Sequence, residues 1–321
     1  MKAVIQEDLY HRSRAVFDGS DIEYFVHGLS ETKAMLEQAE SSGAMCFIIG
    51  AEKYPDSFYL NMKPKSMVVR YGVGYNHVPI SICRERNIYV SYTPGTLDQS
   101  VAEHTAGMIL ACARNIPRRS REMKKGEWIT DPGIELKDKI CAVIGFGNIG
   151  RRVAGIMRSG FGMTVHGFDI IPGLDRQYPD LMDAYSTDFS TAVQDADIVT
   201  LHMAATPETE NFINGDRLDM MKKGALFVNT ARGALVDEDA LYERLQQGHL
   251  SCAAVDVYKD EPYSPPGSRD LRELDTVILT PHIGSNTDAS NRRMAETCVH
   301  NITAFCSGNL EKVILIPEMK G

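Results

Sequence analysis

The sequence predicts an α/β protein made of two doubly wound units, each with a parallel sheet between layers of helices. Three observations predict it. Short apolar runs alternate with helix-like segments through most of the 321 residues. Several of those runs, such as Ala142-Val-Ile and Leu226-Phe-Val, carry no polar alternation, so both faces of the strand are buried, as in a helix-covered parallel sheet. A glycine-rich turn, Gly145-Phe-Gly-Asn-Ile-Gly150, sits between an apolar run and a helical one, with a complete α/β unit before it.

The elements follow in order. Apolar, β-branched runs at 3–6, 45–49, 67–71, 140–145, 164–168, 198–202, 225–229, 253–257 and 277–280 read as strands. Helical spacing predicts helices at 31–42, 80–86, 99–120, 149–160, 238–247 and 286–306. Within 99–120, Val101, His104, Thr105, Met108, Ile109 and Cys112 recur on one face. This segment leads from the first α/β unit toward the glycine turn. Residues 263–268 form a Pro/Gly/Ser loop. The expected division is residues 1–96 with 291–321 as a discontinuous substrate domain and 97–290 as the cofactor domain.

Composition narrows the function classes. Hydrophobic residues are 43% and charged residues 24%, ordinary for a globular chain. The net charge of −9 argues against nucleic acid or an anionic membrane as partner. The basic cluster from Arg114 to Lys125 reads as the solvated end of a helix. The seven cysteines form no Cys-x-x-Cys pair and show no metal-ligand spacing, so reduced thiols, no metal and a cytoplasmic location are expected. The N-terminus lacks the apolar stretch of a signal peptide, and no run of apolar residues is long enough to span a bilayer.

The glycine turn carries the first chemical reading. A lone G-x-G-x-x-G string is weak, but this one follows a buried strand and opens a helix. Gly145 makes the tight turn, Gly147 lets a pyrophosphate approach the backbone, and Gly150 lets the helix pack on the strand. Asp169 ends the next strand, nineteen residues beyond Gly150. An acidic residue there binds ribose hydroxyls and repels a 2′-phosphate, so NAD is expected rather than NADP.

Three further residues each follow a predicted buried strand: Arg232 in Asn229-Thr-Ala-Arg, Glu261 in Asp260-Glu-Pro, and His282 in Thr280-Pro-His. Singly, an arginine there is usually a surface cation, a Glu before Pro a loop residue, and a His after Pro a cap or core group. Together they offer a cation, a carboxylate and an imidazole at the carboxyl ends of parallel strands, where ligands bind in such sheets.

At this point the chain resembles the D-isomer-specific 2-hydroxyacid dehydrogenases, the family of phosphoglycerate, glyoxylate/hydroxypyruvate and D-lactate dehydrogenases. The matching stretches are Arg70-Tyr-Gly-Val-Gly74, Val101-Ala-Glu-His-Thr105, the strand and glycine turn through Gly150, Phe227 through Glu238, Asp256-Val-Tyr-Lys-Asp-Glu-Pro262 and Thr280-Pro-His-Ile-Gly284, across residues 66–285. The resemblance implies a flavodoxin-like substrate domain, a Rossmann NAD-binding domain, a cleft between them, a homodimer paired through the cofactor domain, and a small 2-oxo or 2-hydroxy acid as substrate. Arg232 would clamp the substrate carboxylate and polarise the carbonyl. His282 would donate and accept the proton, with Glu261 orienting it. Backbone N–H groups at Val73 and Gly74 would hold the carboxylate. Asn148 and Ile149 would bind pyrophosphate, and His202, Met203, Thr230, Ala231, Asp256 and Gly284 would line the cofactor, with Asp256 on the carboxamide.

The chain departs from the family pattern at His77, where Asn is common, and at Ala204-Ala205, where Pro-Leu is usual. A corepressor of the same fold, using NAD as a signal for protein interaction, keeps the same three residues and stands as the alternative. A formate enzyme is disfavoured by Glu261, where such enzymes carry Gln.

Overall fold

A computed structural model describes residues 1–265 and 269–319. The end of the loop expected at 263–268 therefore lies outside the described residues. The chain divides into two compact units, Met1–Leu97 with Asn286–Gly321, and Asp98–Ser285.

The first unit runs β1 (Lys2–Gln6), α1 (Glu7–Arg12), α2 (Arg14–Asp18), β2 (Glu23–His27), α3 (Thr32–Ser42), β3 (Cys46–Ile49), α4 (Asp56–Leu60), β4 (Met67–Arg70), α5 (Ile80–Glu85) and β5 (Tyr89–Ser91). Its strands are parallel in the order β2-β1-β3-β4-β5, which is the flavodoxin order. Val4, Phe47, Phe58, Tyr59, Val68 and Val90 belong to its core.

The second unit begins with α6 (Asp98–Ala113) and α7 (Ile116–Lys124). It continues with β6 (Ile140–Ile144), α8 (Asn148–Gly155), β7 (Thr164–Phe168), α9 (Leu174–Gln177), β8 (Ala184–Ser186), α10 (Phe189–Val193) and β9 (Ile198–Leu201). Then come α11 (Gly215–Asp219) between β9 and β10 (Leu226–Asn229), α12 (Glu238–Gln246), β11 (Cys252–Val255) and β12 (Val277–Leu279). The sheet order is β12-β11-β10-β9-β6-β7-β8, all parallel. The order reverses between β6 and β9, and the crevice at such a reversal is where these sheets bind ligands. Two apolar clusters cover this sheet, one including Ala142, Val199 and Phe227 and the other Cys141, Val143 and Val228. These adjacent residues belong to different clusters because side chains alternate faces along a strand. Helix α13 (Asp288–Cys306) then returns to the first unit, packing on α2 and β4.

The helix expected at 99–120 is two helices. Asn115 takes a left-handed conformation with φ 52°, and Pro117 stands in the first turn of α7. Proline cannot continue the preceding hydrogen-bond ladder, so the spacing breaks there. None of α7 is buried, and its arginines pair with Glu122, Asp131 and Asp275, consistent with a solvated basic end. The helix expected at 149–160 becomes a π-helical turn over Ile156–Gly160. All seven cysteines are free, six of them buried. Among the described residues, no helix is long and apolar enough to cross a membrane.

Candidate active site

The register of the second sheet fixes where the chemistry can lie. Asn229 pairs with Leu201 on one side and Val255 on the other, and Val255 pairs with Leu279. Strands β9 to β12 thus end level. The ladder continues past their ends, with Asp256 N–H donating to Asn229 O (3.0 Å), Thr280 N–H to Val255 O (3.0 Å) and His282 N–H to Asp256 O (2.8 Å). Arg232, Glu261 and His282 leave the sheet just beyond this edge.

The glycine turn forms a cradle that fits a dinucleotide. Gly145 has φ +94°, and a Cβ there would lie 2.6 Å from Met203 N and 2.7 Å from the His202 carbonyl carbon. A Cβ on Gly150 would lie 2.1 Å from Gly145 O, whereas Gly147 faces open space. No side chain caps α8, which leaves the N–H groups of Asn148 and Ile149 for an anion. Arg151 braces the turn through Phe146 O (2.9 Å) and Asn148 Oδ1 (2.6 Å). Asp169 lies beside it, with Oδ2 accepting from Phe146 N–H (2.8 Å) and Oδ1 from Ile171 N–H (3.2 Å). His202 and Met203 follow β9 across the reversal point. The surroundings of His202 are dense, and burial pushes its imidazolium down to about 3. It stays neutral near pH 7, with Nε2 3.0 Å from Thr200 Oγ1.

Arg232 is set by a side-chain-built turn. Asn229 Oδ1 accepts from Ala231 N–H (3.0 Å), and its Nδ2 donates to Arg232 O (3.0 Å). Arg232 keeps partial access to solvent. Loss of hydration lowers its guanidinium from the ordinary value, and the charge of Glu261 opposes that. Gly233 then meets the 258–259 backbone so closely that a Cβ would lie 1.8 Å from the Tyr258 carbonyl carbon. This contact brings the Glu261 loop against the Arg232 turn. Tyr258 anchors that loop through its hydroxyl, which lies 3.1 Å from Val255 O and 2.9 Å from Thr280 O. Lys259 N–H donates to Glu238 Oε1 on α12 (2.8 Å).

Glu261 and His282 meet. His282 Nδ1 lies 2.6 Å from Glu261 Oε2, and Glu261 Oε1 accepts from Tyr258 N–H (3.0 Å). Burial pushes the Glu261 carboxyl up. The His282 bond and charge, the Tyr258 N–H and Arg232 outweigh it and hold the carboxyl below its ordinary value. His282 has φ 51°, uncommon for a residue with a side chain. A proton on Nδ1 shared with Glu261 leaves Nε2 to face a ligand.

Asp256 is almost fully buried and spends its carboxylate within its own unit. Oδ1 accepts from Thr280 Oγ1 (2.6 Å) and Ile283 N–H (2.9 Å), and Oδ2 from Gly284 N–H (2.9 Å). Thr230 and Ala231 are buried at the end of β10. Val73 and Gly74 belong to the first unit, in the loop between β4 and α5. That loop is held by Gly72 N–H on Thr93 Oγ1 (2.9 Å), and His77 Nδ1 lies 2.9 Å from Ala51 O. Sequence reasoning gave no role to Asn229, Tyr258, Glu238, His104 or Thr105. All five lie in the stretches that carry the family resemblance, and that was the signal for them.

Fold and site together define a dinucleotide-binding protein with an acid–base pair at the strand ends. The family model described as "D-isomer specific 2-hydroxyacid dehydrogenase, NAD binding domain" matches residues 106–284. A glyoxylate reductase from Thermofilum pendens is 36% identical over 273 residues, 82% of this chain and 79% of that one. A hydroxypyruvate reductase from Thermotoga maritima is 38% identical over 242 residues, 75% of this chain and 77% of its own. A D-3-phosphoglycerate dehydrogenase from Methanocaldococcus jannaschii is 37% identical over 257 residues, 79% of this chain; the match spans 48% of that longer protein, about half its length. The crystal structure of D-lactate dehydrogenase from Aquifex aeolicus with NAD and lactic acid superposes with a TM-score of 0.83 at 27% identity, covering 98% of each chain. The chain belongs to the D-isomer specific 2-hydroxyacid dehydrogenase family, whose members are NAD-dependent oxidoreductases.

Proposed function

We propose that this protein interconverts a 2-oxo acid and a D-2-hydroxy acid with NAD, at the site formed by Arg232, Glu261 and His282. The observation that carries the reading is the 2.6 Å contact between His282 Nδ1 and Glu261 at the level strand edge that also presents Arg232. NAD supplies the hydride when reduced and accepts it when oxidised. The guanidinium of Arg232 holds the substrate carboxylate and draws charge from the C2 carbonyl. During reduction C2 gains the hydride, the carbonyl π pair becomes an O–H bond, and the proton comes from His282 Nε2. Oxidation reverses each transfer, with neutral His282 taking the proton. Glu261 accepts a hydrogen bond from His282 Nδ1 and fixes the ring. His202, neutral near pH 7, is a poor alternative source of that proton.

In this reading Asn148, Ile149 and the three glycines take the pyrophosphate and Asp169 the ribose. Met203, Thr230, Ala231, Asp256 and Gly284 lie on the nicotinamide side. The relatives point to glyoxylate, hydroxypyruvate or a 3-phosphoglycerate-type acid as substrate. NADH oxidation with glyoxylate, hydroxypyruvate, pyruvate, phenylpyruvate and 3-phosphohydroxypyruvate tests the function, and no turnover with any 2-oxo acid would overturn it.

The reading extends to a cytoplasmic homodimer that binds neither nucleic acid nor membrane. Free buried thiols and the net charge of −9 support it. So does the exposed apolar surface of Ile116, Met123 and Trp128 around α7, suited to pairing with a second copy. Light scattering that gives a monomer mass at micromolar concentration would remove the dimer.

A further inference from the structure

We infer that helix α6 braces both catalytic turns through two adjacent side chains, His104 acting on the His282 turn and Thr105 on the Arg232 turn. Both residues are positioning residues, and the inference rests on the function proposed above.

The two braces run through different partners. His104 Nε2 lies 3.4 Å from Asp256 Oδ1 and 3.3 Å from Thr280 Oγ1. Asp256 in turn grips the backbone on both sides of the catalytic imidazole. Its carbonyl accepts from His282 N–H, and its carboxylate accepts from Ile283 and Gly284 N–H. Burial pushes the Asp256 carboxyl up, but His104, Thr280 and the two N–H groups outweigh it and hold the group below its ordinary value. A buried carboxylate is costly unless its lone pairs are filled, and His104 is the cation-capable side chain paired with it. The fit at this point is close. A Cβ on Gly284 would lie 3.0 Å from Asp256 Oδ2, 3.5 Å from His104 Cδ2 and 3.8 Å from Val101 Cγ2.

Thr105 is fully buried and works on the neighbouring turn. Its hydroxyl donates to Val101 O (2.8 Å), which commits its one proton. The 2.8 Å contact with Thr230 Oγ1 is therefore donated by Thr230. Thr230 sits between Asn229, whose side chain builds the turn, and Ala231 and Arg232, which that side chain holds. One rigid helix thus fixes the two reacting turns in a common frame, where a displacement of about 1 Å can cost up to ~10²-fold in rate.

The geometry separates the two residues by their kinetic effects. His104→Ala should lower kcat by about tenfold. His104→Gln, which keeps an N–H donor at the same reach, should restore most of it. Thr105→Val should raise KM for the 2-oxo acid by about tenfold with a smaller effect on kcat, and Thr105→Ser should restore it. A second readout needs neither cofactor nor turnover. The proton NMR signal of the short His282–Glu261 bond, in the protein alone, should weaken in His104→Ala and persist in His104→Gln and Thr105→Val. Kinetic constants within about twofold in both His104→Ala and Thr105→Val would overturn the inference. So would an unchanged low-field signal in His104→Ala, or a Gln variant no better than Ala. Absence of turnover in the unsubstituted protein would count against the proposed function instead, and the NMR comparison would still decide the brace.

Discussion

Gly233 and Tyr258 touch backbone to backbone. A Cβ on Gly233 would fall 1.8 Å from the Tyr258 carbonyl carbon and 2.3 Å from Lys259 N. The contact joins the loop that carries Arg232 to the loop that carries Glu261. Gly233→Ala must push the two apart, because the obstacle is main chain and cannot rotate away. Overpacking costs about 1–3 kcal/mol, and the displacement falls on the substrate clamp. We expect a lower thermal midpoint and a loss of kcat/KM of at least ~10²-fold. Calorimetry and steady-state kinetics on the same preparation check both.

In the proposed function Asp169 governs the choice of dinucleotide. It supports the glycine turn through Phe146 N–H and presents a carboxylate at the end of β7. Asp169→Ala removes a ribose acceptor and a charge that repels a 2′-phosphate. Affinity for NAD should fall by about tenfold, the equivalent of one hydrogen bond to a charged group, and relative use of NADP should rise. Constants measured with both cofactors test it, and an unsubstituted protein that already prefers NADP would contradict the assignment.

Arg232→Ala should raise KM for the 2-oxo acid strongly and lower kcat as well, since carboxylate binding and carbonyl polarisation are both lost. Arg232→Lys should recover only part of either, because a point charge does not reproduce a planar fork. Equal rescue by lysine would argue against a two-point clamp.

Acid should weaken the fold through Glu261 and Asp256. Both carboxyls are held below their ordinary values in the folded chain. Their contribution is therefore present above the unfolded values, near 4, and is lost as pH falls through the lower folded values. The thermal midpoint should drop as pH falls below about 4, and Glu261→Gln and Asp256→Asn should flatten that drop. Glu261→Gln should also lower turnover without abolishing it.

Much of this was legible in the sequence because buried parallel strands advertise themselves. Val143, Val199, Phe227 and Ala254 sit in runs without alternation, and all are fully buried. The strands that left no such signal are β2, β5 and β8, each at a sheet edge. Glu23, Tyr24 and His27 in β2 are exposed or half-exposed, so their pattern resembles a loop. The glycine turn was visible because its spacing is local. The contact between Glu261 and His282 was inferable only as a common strand edge, since twenty-one positions separate them. The roles of His104 and Thr105 stayed hidden because their partners, Asp256 and Thr230, lie more than a hundred residues away.

The central claim is that His282 carries the proton. His282→Ala, and His282→Asn as a closer mimic, should bind NADH with nearly unchanged affinity by fluorescence titration. Their turnover with the best 2-oxo acid should fall by about 10²–10⁴-fold. In the unsubstituted protein, reduction should be favoured at lower pH and oxidation at higher pH, since reduction consumes a proton and oxidation releases one. A His282→Ala protein that binds NADH and turns over at the original rate would contradict the account.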